Sequence, residues 1–441
     1  MTRTLVFKAI LAITLCVLST LAAYGKDIYV DDDNTEGPWD GTRRHPYQYI
    51  QDGLDVALPG DIVWVAPGTY EENITLKSAV ELLGAGAGVT EIRKSTGTVV
   101  TADAVNFKTK IDGFTINGMD KSGDSDYGIY CSGEAGVISN VTITNTGSHG
   151  IYCSWSNPTI GEIGEEESKV TITNTGAHGI YCYVSSPTIS NVEITNAGYG
   201  ICCYNSSSPV ISDVKISNPA AFGIYCGSSS SPTVSNVTID NTGADGIYCL
   251  GSSPTINNVR ITGAIGKANG IYCLGGSNPK IRGSVIEHNG GNGIRIDGSS
   301  LPDLGTEADP GLNSICNNAY YDVLNENPTE VKAELNWWGY SEPPFSISGN
   351  VDYDPWLSIY GTVTDKSTGN PIESPIVIAI NVDTKDKYKA STDSNGHYGI
   401  PDLPAGTYLV ICIKPGYKAS IKKVEVPTGD KVDFKLTPSL E

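Results

Sequence analysis

The sequence predicts an all-β chain: a right-handed parallel β-helix, a single-stranded solenoid of about 10–12 coils, followed by a small β-sandwich. Three observations carry this. The first is repetition. Gly-Ile-Tyr-Cys stands at Gly128–Cys131, Gly150–Cys153, Gly179–Cys182, Gly223–Cys226, Gly246–Cys249 and Gly270–Cys273, with variants at Gly200–Cys203 and Gly293–Ile296. Counted from the fourth position, the steps are 22, 29, 21, 23, 23, 24 and 23 residues. The second is composition: 50 Gly, 24 Tyr and only two Met favour short strands and turns over helices. The third is that the repeat has stopped by Ile359, where a different pattern of strands and turns begins.

Each unit holds three short runs: Gly-Ile-Tyr-Cys, a run after a Pro such as Ser231-Pro232-Thr233-Val234, and a run such as Asn236-Val237-Thr238-Ile239 closed by Asn241-Thr242-Gly243. Alternating residues between Gly, Asn and Pro corners make one triangular coil. No coil can bury its own apolar side, so the coils must stack, with equivalent residues about 4.8 Å apart. Alternation puts Ile129, Ile151, Ile180, Ile201, Ile224, Ile247, Ile271 and Ile294 in one inward column, and Cys131 to Cys273 in another. The tyrosine between them faces outward. Seven in-line thiols have parallel Cβ vectors, which suits disulfide geometry badly, and a straight ladder is not a tetrahedral zinc site. Buried free thiols are expected, against the habit of exported proteins to pair their cysteines. A leucine-rich repeat would need Leu and Asn at fixed offsets, and a propeller a period near 40, so neither fits.

Tyr47–Asp55 and Pro59–Tyr70 resemble the opening of the pectin-lyase-like family of β-helix proteins. The resemblance implies a β-helix over residues 26–356 with a capping helix at about 45–58. Asn336-Trp337-Trp338-Gly339 through Val351–Leu357 resembles the phrase that ends many such helices, implying a second cap at about 336–356. Ile359–Asp365, Thr368–Ile372, Thr392–Tyr398, Leu403–Tyr408 and Gly416-Tyr417 resemble the carboxypeptidase regulatory-like domain, a transthyretin-like sandwich expected over residues 357–441. That domain implies an accessory or spacer module, not peptidase activity.

Residues 1–25 read as a secretory signal: Arg3 and Lys8, an apolar run from Ala9 to Ala23, and small residues at Ala23 and Gly25. Secretion, or a periplasmic or cell-surface location, is therefore expected, with no transmembrane segment in the mature chain. The formal net charge is −20, from 49 acidic and 29 basic residues. Such a balance argues against nucleic acid, whose phosphates need basic patches.

The outward column Tyr130, Tyr152, Tyr181, Tyr225, Tyr248 and Tyr272 is flanked by Tyr127, His149, His178, Tyr199 and Phe222 on one side, and by Trp155, Tyr183 and Tyr204 on the other. Sugars stack on aromatic faces, so a polysaccharide or cell-surface glycan is the expected partner. Self-stacking of neighbouring rings is the competing explanation. His149 and His178, at one repeat position, are a candidate metal pair. The acidic loop Gly161–Lys169 and Asp31–Asp33 read as solvated turns, with weak calcium binding as the alternative, so no cofactor is expected unless it is calcium. Arg295 and Asp297, both outward at the tyrosine edge, are the candidate catalytic residues. Three readings follow: a non-catalytic, monomeric exported protein that binds glycan or a surface partner through the outward aromatic face; a polysaccharide lyase or glycoside hydrolase of the pectin-lyase-like superfamily; or a periplasmic accessory protein similar to the β-helix component of copper-enzyme maturation systems.

Overall fold

The computed structural model describes residues 25–439 apart from 120–126, 135, 163–167, 340–342, 344, 427 and 429–430. The signal segment lies outside the described residues except for Gly25, as does the middle of the Gly161–Lys169 loop.

The repeats stack in register. Twelve parallel strands, from Ile74–Thr75 to Ile347–Ser348, form one sheet that holds every Gly-Ile-Tyr-Cys phrase. Ile151 pairs with Ile129 and Ile180, and Cys153 with Cys131 and Cys182. A 17-stranded parallel sheet carries the other runs. In it, two runs of a unit often form one strand bent at an Asn, as at Asn191 in Thr188–Thr195 and Asn236 in Thr233–Asp240. Those asparagines hold φ of 52° and 53°, in the left-handed region that Asn tolerates, so one residue turns a corner.

The repeated Gly answers a close approach between sheets. A Cβ on Gly179 would lie 2.6 Å from Ile194 Cγ2 and 2.7 Å from the Gly200 carbonyl oxygen. Inside, the Ile and Cys columns are fully buried, and the ten described cysteines are all free and buried. Thiol–thiol hydrogen bonding and burial raise the Cys131 and Cys203 pKa values well above the ordinary range, keeping both neutral.

A buried serine ladder satisfies the backbone at a corner. Ser185 N–H donates to Ser207 Oγ (2.9 Å), Ser207 N–H to Ser230 Oγ (3.0 Å) and Ser230 N–H to Ser252 Oγ (3.1 Å). Side chains thus replace a ladder that the irregular corner cannot make for itself.

A helix, Ile50–Val56, closes the N-terminal end with Ile50 and Leu54 against the core. The Glu72 carboxylate accepts the N–H groups of Ile50 (2.8 Å) and Gln51 (3.0 Å), supplying the cap that Tyr49 lacks. At the other end Trp338 is buried against the coil core, with Phe345, Tyr353 and Trp356 packed around it.

The C-terminal sandwich has a three-stranded sheet (Leu357–Asp365, His397–Pro401, Phe434–Leu436) and a four-stranded sheet ordered Lys387–Ser391, Ile376–Asn381, Gly406–Ile413, Ser420–Val426. Val363, Val377, Tyr398, Tyr408, Val410 and Phe434 fill it. The domain lies against the last coils. Trp337, Leu357 and Tyr360 form a joint apolar cluster, Lys431 Nζ stands 3.6 Å from Glu287, and Gly283 leaves room for His397. Among the described residues no helix is long and apolar enough to cross a membrane.

Candidate functional site

Strand alternation turns the middle residue of each Gly-Ile-Tyr-Cys strand outward, and parallel pairing lines those residues up. Tyr130, Tyr152, Tyr181, Cys202, Tyr225, Tyr248, Tyr272 and Arg295 are consecutive partners. Ring centroids are 5.5 Å apart for Tyr130–Tyr152, 5.1 Å for Tyr152–Tyr181 and 5.5 Å for Tyr225–Tyr248. The neighbouring column Tyr127, His149, His178, Tyr199 and Phe222 is as close, at 5.4, 4.8, 4.4 and 5.1 Å.

The planes decide what this face offers. Tyr152–Tyr181 and Tyr225–Tyr248 meet at 17° and 15°, and His149–His178 at 13°. Tyr130–Tyr152 and Tyr248–Tyr272 meet at 56° and 81° instead, so rings spaced near 4.8 Å pack on one another both face to face and edge to face. Much of their ring area is therefore turned on neighbouring rings.

Trp155 is different. It follows Ser154 at a corner, has φ of 54°, and is 68% exposed. Gly133 fills the same corner one coil earlier with φ of 67°, because Ser132 pairs with Ser154. Phe107, 75% exposed, stands across an open groove of about 420 Å³ whose remaining lining is Gly133, Glu134 and Asn157. On the next two coils Tyr183 and Tyr204 stand in line with Ser154, the residue before Trp155, with centroids 6.4 Å apart and Tyr204 38% exposed. The groove therefore joins an open indole, an open phenyl ring, a carboxylate and an amide.

His149 and His178 come together as stacked rings. The His178 backbone N–H donates to His149 Nδ1 at 3.2 Å, so one nitrogen of the pair is already engaged. Burial lowers the His149 pKa to about 3, aided by His178, and the His178 pKa to about 4, so both are neutral at physiological pH. Among the described residues no group of three or more His, Cys, Asp or Glu is placed to hold a metal ion. Asp31 and Asp32 serve the local backbone, accepting the N–H groups of Asp33 (3.1 Å) and Thr69 (2.8 Å).

Arg295 and Asp297 also meet, at 3.7 Å, but Glu326 joins them at 2.8 Å from the guanidinium. Arg295 lies 4.8 Å from the Tyr272 ring centroid, and Tyr272 OH donates to Asp297 at 3.3 Å. Both charges are thereby engaged in ties between coils.

Residues 164–305 match the family model described as right handed beta helix region, and residues 358–438 match the carboxypeptidase regulatory-like domain. The chain is a right-handed β-helix protein with a carboxypeptidase regulatory-like domain. No curated protein matches it in sequence. It is similar to the A-module of mannuronan C-5 epimerase AlgE6 from Azotobacter vinelandii, at 15% identity and TM-score 0.48, over 74% of this chain and 99% of that one. It is also similar to the catalytic unit of an alpha-1,3-glucanase from Streptomyces thermodiastaticus, at 16% identity and TM-score 0.49, over 74% and 69%. A third likeness is to an alginate lyase from Paenibacillus, at 16% identity and TM-score 0.39, over 74% and 99%.

Sequence reasoning on this β-helix protein placed Trp155 beside the cysteine column but missed its groove. Phe107 and Glu134 lie between strands, where no period assigns a direction to a side chain. A signal for Trp155 existed: its corner position holds Gly133, Val184, Asn205, Ser228, Gly251 and Gly275 in other units, all much smaller, and an indole among them is out of place. Glu326 was missed because it sits beyond the last clear repeat.

Proposed function

We propose that this β-helix protein is an exported, non-catalytic glycan-binding protein whose contact site is the Phe107–Trp155 groove with the Tyr183–Tyr204 edge. One observation carries the reading: Trp155 holds a left-handed backbone conformation and leaves its indole 68% exposed. A left-handed residue with a side chain costs about 1–2 kcal/mol, and here that side chain packs into no core. Such a local conflict marks a site kept for something outside the fold. The C–H face of a sugar ring fits an open indole, with hydroxyls left for Glu134 and Asn157. The acidic chain repels polyanions, so the glycan is uncharged.

A catalytic reading would need a free acid and base. The Arg295 group supplies neither, because the guanidinium is shared by Asp297 and Glu326. The test is a panel of uncharged and acidic polysaccharides, scored for binding and for new reducing or unsaturated ends. Retention of an uncharged glycan without new ends is the expected result. Turnover of any member, or retention only of acidic members, would overturn the reading.

A further inference from the structure

The sandwich turns an apolar face to solvent. On the outer side of its four-stranded sheet, Ile376 pairs with Ile413, Ile378 with Ile411, Ile380 with Leu409, and Ile411 with Ile421. Ile376, Leu409, Ile413 and Ile421 are 50%, 40%, 43% and 60% exposed, and Ile378, Ile380 and Ile411 are half-buried. Seven adjoining aliphatic side chains are thus uncovered, a contiguous patch of the kind that marks an interaction site. Lysines border it. Lys387 and Lys389 lie opposite Ile380 and Ile378 on the edge strand, and Lys423 lies opposite Leu409. All three are exposed, and among the described residues only Lys423 of the three forms an ion pair, with Glu425 at 3.8 Å.

Charge says what fits there. The sandwich, residues 358–441, has ten lysines against ten acidic residues, whereas residues 26–357 have 17 basic and 39 acidic ones. Among the places where the acidic side exposes apolar residues, the N-terminal cap sets them on a helix beside two exposed carboxylates. Tyr49, Val56 and Leu58 are 52%, 48% and 65% exposed there, beside exposed Asp52 and Asp55. Tyr49, Asp52 and Val56 share a helix face by their three- and four-residue spacing. A helix laid on the open face of an antiparallel sheet is an ordinary packing layer.

We propose that the N-terminal cap of one copy docks on the outer sandwich sheet of the next, with Asp52 and Asp55 opposite the Lys387 and Lys389 edge. The two faces are different surfaces of one chain, so the contact is head-to-tail and can propagate, in place of the monomer expected from sequence. Pairing the sandwich face with itself would set the Lys387–Lys389 edge against its own copy or against the Ile421, Lys423 and Glu425 strand, which offers one carboxylate where the cap offers two.

Sedimentation velocity of the purified protein from 1 to 200 µM, in about 50 mM and about 500 mM salt, tests this. The expected result is association that rises with concentration and weakens at least tenfold at high salt. Ile378→Asp with Ile411→Asp should abolish it, with circular dichroism confirming an intact fold. Lys387→Glu with Lys389→Glu should also abolish it, and mixing that variant with Asp52→Lys, Asp55→Lys protein should restore it as a hetero-association. A monomer at every concentration would overturn the proposal. So would a dimer indifferent to Asp52 and Asp55, or binding to phosphatidylglycerol vesicles by a protein that stays monomeric.

Discussion

Trp155 occupies the left-handed corner that Gly133 occupies one coil earlier, with φ of 54° against 67°. One position therefore carries hydrogen in one coil and an exposed indole in the next. The fold gains nothing from the exchange, which sets stability and binding in opposition. Trp155→Asn keeps a residue that tolerates this conformation and removes the ring. Its thermal stability should equal or exceed the parent by up to about 1 kcal/mol, while glycan retention is lost. Calorimetry and binding on the same sample check both.

The serine ladder should be costly to interrupt. Ser230 Oγ is the acceptor for Ser207 N–H, and Ser230 is fully buried. Ser230→Ala leaves that amide without its partner, a loss of about 1–3 kcal/mol. Ser231→Ala removes an exposed acceptor in the same corner, one that serves Ser253 N–H, and should cost under about 1 kcal/mol. Urea midpoints of the two variants give the comparison; equal losses would contradict the ladder.

The histidine pair makes the protein acid-sensitive. His149 and His178 have pKa values near 3 and 4 in the fold, below the ordinary 6.5, because burial disfavours the charged ring. The unfolded chain then binds more protons below pH 6.5, so stability should fall as pH drops from 6.5 toward 4. The loss is on the order of 2 kcal/mol for the pair after allowance for their partial exposure. Asp322 acts with the opposite sign: burial raises its pKa to about 6, so its contribution fades as pH rises through that value. His149→Tyr with His178→Tyr should flatten the pH dependence of the unfolding midpoint. A midpoint as acid-sensitive as the parent's would count against the assignment.

The cysteine ladder should be silent until the fold opens. All ten described thiols are buried, so a thiol reagent should label none in the native protein and all of them in denaturant. Cys226→Ser places a hydroxyl in an apolar column and should cost about 1–3 kcal/mol; Cys226→Ala, which leaves only a small void, should cost less. Labelling mass spectrometry and urea melts measure the two effects.

Much of this was legible in the chain. A period near 23, with Ile and Cys at fixed offsets, requires like to sit over like, and the registers Cys203–Cys226 and Cys226–Cys249 show it. The corner asparagines were legible as turns, because few other residues accept φ near 53°. The orientation of the tyrosine rings was not. Alternation says that Tyr152 points outward, but only the packing of Tyr152 on Tyr181 at 17° shows how much of its face is used up. Nor was the seating of the sandwich, since no local rule connects Gly283 with His397 or Glu287 with Lys431. Phe107 faces Trp155 across coils from a segment without a repeat, so period and alternation had no purchase on it.

Affinity electrophoresis through gels containing the best-retained uncharged polysaccharide tests the site itself, comparing the parent with Trp155→Asn and with Tyr248→Ala, three coils beyond the Tyr183 edge. The account predicts at least a tenfold loss of retardation for Trp155→Asn and near-parental retardation for Tyr248→Ala. Parental retardation of Trp155→Asn, or a loss confined to Tyr248→Ala, would contradict it.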